Sequence, residues 1–342
     1  MNNPLRKILT TVLMLSIFAA FPASSDSGET PRIISWGRGY SLVLDMLYMF
    51  PEAEESIVAM GSGTQAGGYF QKLLDSDYRK KAVLEMDLQD ETAASYNPTH
   101  IILKSYMRGA AEGLAKLDIP VMFIDMESPE QYESDLTRLG ELFENPARAE
   151  ELKTYFNSEK SEVVKLTGPL RDSEKPGVLF IYYSVKGGIA SMRVPPADWI
   201  QTRMIEWAGG IPVWKDAVTS TGWQTVSFEQ IAAWNPDTVF MVTYHSDIDE
   251  ARNMIADDPL WRLTEAGQQD RIFGVPGDFM SWDQPSPRWI LGLNWMGTKL
   301  QPQIFSEERL EEKIYDFYST AYGFSRKKTA DEIIPRITGS YR

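Results

Sequence analysis

Short apolar runs alternate with longer stretches in which apolar positions recur at helical spacing. The runs at 32–36, 57–60, His100–Leu103 and 121–125 read as buried strands. Strands alternating with helices mark a parallel sheet covered by helices. After Lys175-Pro176-Gly177 the pattern restarts, with strands at 178–183, Thr238–Val242 and 271–275. Between the halves, residues 146–166 open on Pro, carry a charged surface and meet no Gly before Gly168. This predicts one helix roughly 30 Å long at 1.5 Å per residue, long enough to act as a stiff strut between two lobes. A final helix starts at Ser306 and stops at Gly323, with Leu310, Ile314, Phe317, Tyr318 and Ala321 on its packing face.

The halves share one further segment. Glu91 to Pro98 and Glu229 to Pro236 each place a Glu seven residues before the Pro of an aromatic-Asn-Pro corner, with two Ala between, and each precedes a strand. Asn and Pro stop a short helix there, and Pro biases the chain into an extended strand. Recurrence at equal spacing points to two related lobes.

The N-terminus reads as an address. Residues 1–7 carry two positive charges, 8–21 are mostly apolar, and Pro22-Ala23-Ser24-Ser25 follows. A basic start, a short apolar middle and a small-residue end describe a secretory signal peptide, with cleavage after Ser25. The expected organisation is a leader at 1–25, a first α/β lobe at 31–145, a connecting helix at 146–168, a second α/β lobe at 175–305, and a helix and tail at 306–342. No Cys follows the leader to accept a lipid, so the periplasm is the expected compartment.

Composition narrows the chemistry. The 342 residues carry a net charge of −14, which repels nucleic-acid phosphates. There is no Cys, and His100 and His245 are the only two His. Thiolate nucleophiles, disulfides and poly-His metal sites therefore drop out. No Gly-x-Ser-x-Gly or His-Glu-x-x-His motif is present, which leaves a hydrolase using an Asp/Glu pair as the distant enzymatic alternative.

These motifs in this order resemble the periplasmic substrate-binding proteins of ABC importers for ferric siderophores, haem and vitamin B12. The likeness covers about 31–305. It rests on Arg32-Ile33-Ile34-Ser35, the two Glu-to-Pro segments, the long central helix, Trp207-Ala208-Gly209-Gly210, and Ser286-Pro287-Arg288 before a late helix. The resemblance implies two Rossmann-like α/β lobes with central parallel sheets, one long interdomain helix, a ligand cleft between the lobes and little lobe closure. It implies a monomer that serves a permease with ATPase subunits, and no cofactor beyond iron or cobalt carried within the cargo. It also gives Glu91 and Glu229 the role of docking carboxylates, two separated anionic points that Arg-bearing permease subunits can read.

In open α/β sheets ligands sit beyond the carboxyl ends of the strands. The loops expected there supply Trp36, Arg38, Tyr40, Lys104, Tyr106 and Arg108 from the first half. The second supplies Tyr182, Tyr183, Lys186, Met192, Arg193, Trp223, Tyr244, His245, Phe279, Trp282 and Asp283. Together they describe flat apolar walls with positive charge, suited to an anionic ferric chelate; haem and corrinoids match the aromatic part. Lys104 stands where the vitamin B12 binder presents a Trp, which favours an anion. Residues 61–68 form a glycine-rich segment lacking the Lys-Ser/Thr ending of a phosphate loop, and read as a mobile cleft loop. Tyr244 and His245 are candidate iron ligands, but neighbours on an extended segment point to opposite faces, so at most one can reach a given metal.

Overall fold

The apolar runs assemble into two sheets. The computed structural model describes residues 30–62, 70–86, 90–114 and 118–341. The leader and most of the glycine-rich segment (63–69) lie outside the described residues.

The first sheet contains β1 (Ile33–Ser35), β2 (Ile57–Gly61), β3 (Ala82–Leu84), β4 (His100–Leu103) and β5 (Val121–Phe123) in the order β3-β2-β1-β4-β5, all parallel. Its strand order reverses between β1 and β4, the place where an open α/β sheet leaves a crevice beyond its carboxyl ends. The second sheet is built from β6 (Gly177–Lys186), β7 (Ile189–Val194), β8 (Ile211–Pro212), β9 (Gln224–Val226), β10 (Thr238–Val242) and β11 (Ile272–Gly274). Its order is β11-β10-β6-β7-β9, with β8 beside the start of β6.

This second sheet departs from the sequence expectation in one respect. β7 runs antiparallel to both β6 and β9, so residues read as a loop, Tyr183 to Arg193, form a hairpin. Gly187 and Gly188 turn the chain back at φ +59° and +80°, the left-handed region that a two-residue hairpin turn demands.

The connecting helix spans Pro146–Thr167. Pro146 occupies its first turn and the Asn145 side chain accepts from Arg148 N at 3.1 Å. The last helix, Glu307–Tyr322, is capped by Ser306 and closed by Gly323. The two Glu-bearing helices, Asp90–Ser95 and Phe228–Trp234, are each followed by an Asn in the left-handed region, Asn97 at φ +46° and Asn235 at φ +43°. The shared Asn-Pro spelling thus makes the same corner in both lobes.

The lobes meet over a buried surface. Phe70 of the first packs on Phe279 of the second at 5.3 Å between ring centroids. Trp289 receives Tyr132 at 6.0 Å and stacks on Phe156 of the connecting helix at 5.9 Å. Burying a ring of this size contributes on the order of 3 kcal/mol, so parting the lobes here would expose several such contributions at once. Arg148 adds backbone contacts on both sides, to Met49 O at 2.9 Å and Thr320 O at 2.7 Å. These contacts fasten the two lobes across a buried seam.

Candidate ligand cleft

The first-lobe wall grows from the β1 and β4 ends. After β1 the chain turns through Gly39 at φ +74°, where a Cβ would lie 2.4 Å from the Tyr106 hydroxyl. That close approach lets Tyr106 Oη donate to Arg38 O at 2.8 Å, tying the two switch-point loops together. Both side chains stay exposed, Tyr106 at 59%. Burial of its hydroxyl end and the nearby Glu127 carboxylate push the Tyr106 phenol up to about 12. Beneath it Lys104 is buried; its Nζ donates to Asp125 O and pairs with Glu127 Oε1 at 3.1 Å. Burial raises the Glu127 carboxyl against the pull of Lys104.

The second-lobe wall is a run of stacked rings. Arg193 lies 4.7 Å over Tyr182 and donates to Ser184 Oγ at 3.0 Å. Tyr182 meets Tyr244 at 4.7 Å and Trp223 at 5.5 Å, and Trp199 packs edge-on against Trp223 at 5.8 Å. Tyr244 Oη donates to Asp283 Oδ2 at 2.7 Å. Asp283 is fully buried and also accepts from Ser281 Oγ at 2.5 Å and Gln201 Nε2 at 3.4 Å. Burial raises both Asp283 and Tyr244, and Asp283 raises Tyr244 further. This environment favours the neutral phenol of Tyr244.

The walls join at the floor. Glu127 is among the charges that act on Tyr244, and Ile200 N of the second lobe donates to Glu127 O at 3.1 Å. Through Glu127 the two walls meet, which makes Arg38, Tyr106, Tyr182, Arg193, Trp223 and Tyr244, with Lys104 beneath them, the candidates to border one cleft.

The remaining expected residues lie elsewhere. Trp36, Tyr40 and Trp282 are buried behind the walls; Trp36 Nε1 donates to Glu85 O at 2.6 Å and Trp282 Nε1 to Asp278 Oδ2 at 3.2 Å. Phe279 is buried between the lobes and Met192 is half-buried in β7. Tyr183 turns to the opposite face of β6 from Tyr182. His245 is exposed beyond Tyr244, and Lys186 stands at the hairpin tip. Arg108 lies 4.1 Å over Phe123, in a separate groove with Asp125, Asp135 and Arg138. Glu91 and Glu229 are both exposed in the first turn of their helices. The Glu229 carboxylate is held low by its own backbone N–H and by the Ser227 hydroxyl.

Sequence reasoning missed Glu127, Trp199 and Gln201. Glu127 was within reach of the strand-end rule, since it follows β5 by four residues. Trp199 and Gln201 open a helix in the second lobe and are identified only by the ring and carboxylate they touch.

Two α/β lobes joined by a long helix and a buried seam, with rings and cations as candidate ligand residues, have the architecture of a solute receptor. The chain belongs to the periplasmic binding protein family, whose sequence profile matches residues 39–279, and this makes it a binding protein and not an enzyme. It is 30% identical over 125 residues to the molybdate-binding protein MolA of Haemophilus influenzae; the match covers 36% of this chain and 34% of that protein, about a third of its length. The fold matches a periplasmic solute binding protein from Veillonella parvula at 22% identity and TM-score 0.69, covering 90% of this chain and 92% of the other. It also matches the Helicobacter pylori protein CeuE with Ni(II) bound, at 14% identity and TM-score 0.70 over 90% and 95%. Among the described residues no helix is long and apolar enough to cross a membrane.

Proposed function

We propose that this chain is the receptor of an ABC importer, taking an anionic metal complex in the periplasm, a ferric siderophore first, and handing it to a permease with ATPase subunits. The observation that carries the cargo reading is the pairing of stacked rings with cations in one cleft. Arg38 and Arg193 have no carboxylate partner among the described residues, in a protein of net charge −14. A cleft of opposite sign to its surroundings draws in anions and neutralises them when water leaves. Ferric catecholates are anionic and present planar groups to the rings. Haem would use the rings and, through its propionates, the guanidinium groups; a neutral corrinoid would use the rings alone.

The identity to MolA favours a second reading, a bare molybdate oxyanion. It would engage the guanidinium groups and leave the ring wall unused. On either reading Glu91 and Glu229 are the docking carboxylates, and export removes a leader of about 25 residues.

Tryptophan-fluorescence titration separates these cargoes, because Trp199 and Trp223 sit in the cleft wall. The panel is ferric catecholate, ferric hydroxamate, haem, cyanocobalamin and molybdate. Ferric catecholate should saturate the signal at the lowest concentration. Saturation by molybdate alone would replace the siderophore reading, and no response to any member would refute an anionic metal cargo.

A further inference from the structure

β6 outruns its sheet. Its pairing with β10 ends at Tyr182↔Val242, and from Tyr183 onward its only strand partner is β7. Four pairs follow, Tyr183↔Met192, Ser184↔Ser191, Val185↔Ala190 and Lys186↔Ile189, before the two-glycine turn. At about 3.3 Å per residue the arm reaches about 13 Å past the end of its neighbour.

Cross-strand partners share a face and successive residues alternate. Tyr182 with Arg193, Ser184 with Ser191, and Lys186 with Ile189 therefore line one side. This side continues the second-lobe ring wall outward, because Tyr182 on it packs on Tyr244 at 4.7 Å and carries Arg193 4.7 Å over its ring. Going outward, the face offers a ring under a guanidinium, then two hydroxyls, then an ammonium beside an isoleucine. Lys186 is exposed, and Ile189 is 75% exposed. Arg38 and Tyr106 of the first lobe are also exposed.

A tetrahedral oxyanion is only a few ångströms across and touches the base of such an arm. An organic chelate wrapped around a metal is broad enough to touch base and tip together. We propose that the β6–β7 arm is a size-selective extension of the cleft wall, gripping the outer limb of a ligand-wrapped metal complex. The inference rests on the reading of this cleft as a metal-complex site and selects within it.

The test is a shortened arm. Removing Val185, Lys186, Ile189 and Ala190 together keeps the Gly187-Gly188 turn and the strand register, because two residues leave each strand. The double variant Lys186→Ala/Ile189→Ala keeps the backbone intact and reports on the tip if the shortened protein misfolds. Both are titrated with ferric catecholate, cyanocobalamin and molybdate beside the unaltered protein. The shortened arm should weaken the chelate that binds by roughly tenfold or more, and the double variant by several-fold, the scale of one charged and one apolar contact. Unchanged chelate affinity in both variants, or binding of molybdate alone by the unaltered protein, overturns the proposal. Loss of cyanocobalamin binding through the arm, with no anionic cargo bound, upholds the arm and refutes the anionic reading.

Discussion

Asp45 of the first lobe accepts from Arg288 of the second in an ion pair whose side chains are both fully buried. Arg288 Nε also donates to Asp278 Oδ1 at 2.6 Å, and its guanidinium lies 4.2 Å over Phe70. Gln71 Nε2 donates to Asp45 Oδ1 at 3.0 Å and Tyr322 Oη to Asp45 O at 3.0 Å. A helix of one lobe is thus fixed to the approach of a helix in the other by charge, hydrogen bonds and rings.

Removing the cation should do more damage than removing one anion. Arg288→Met leaves two buried carboxylates without their partner, a loss of about 3–5 kcal/mol. Asp45→Asn keeps Arg288 paired with Asp278 and should lose clearly less. Urea unfolding at pH 7.5 ranks the two; an equal or reversed order would mean that the charge on Asp45 matters as much as the arginine or more.

The same pair predicts a pH dependence. Burial pushes the Asp45 carboxyl up to about 6 from an ordinary 3.8, against the pull of Arg288. Across that interval the folded protein holds a proton that the unfolded chain has released. The stabilisation from this group is therefore full below the lower value and is lost as pH rises through about 6. Asp45→Asn abolishes that slope, so the stability advantage of the unaltered protein over the variant should shrink between pH 4.5 and 7.5. A constant difference would place the carboxyl in its ordinary range.

In the cleft, charge and stacking should separate. Arg193→Ala should weaken an anionic ferric chelate by roughly 10- to 100-fold, the scale of a charge-assisted hydrogen bond, and spare a neutral corrinoid. Trp223→Ala should weaken both, because it removes wall area whatever the cargo's charge. Isothermal titration measures each; a harmless Trp223→Ala together with equal losses for both cargoes from Arg193→Ala would contradict this wall.

Docking should be separable from capture. The double variant Glu91→Arg/Glu229→Arg should abolish cellular uptake while cargo affinity stays nearly unchanged, since both carboxylates are exposed in the first turns of their helices. Normal uptake by that variant would refute the docking role, and lost affinity would show a structural one.

Periodicity made the frame legible. His100–Leu103, Thr238–Val242 and the connecting helix appear where apolar spacing and Pro146 place them, because each is decided by residues close in sequence. Strands such as β3 and β9, three residues each among polar neighbours, carry too little apolar signal to stand out. The strand-end rule places Tyr183 to Arg193 in a loop, whereas Gly187-Gly188 spells a two-residue turn that lets the strand continue as a hairpin. Asp45 left a faint mark, a lone acid in the apolar stretch Tyr40–Leu47. Its partner lies 243 positions away, and no local pattern connects them.

The buried seam between the lobes has a consequence for traffic at the membrane. A receptor whose halves such a seam kept from swinging would show nearly the same outline empty or full, with Glu91 and Glu229 at the same separation. A permease that recognises those two points alone would accept unloaded copies as readily as loaded ones. Uptake would then climb with receptor abundance only while cargo is in excess, and fall once idle copies crowd the entrance. Such a transporter avoids idle cycles only by sensing the passenger itself, and the stoichiometry of receptor to cargo becomes part of its control.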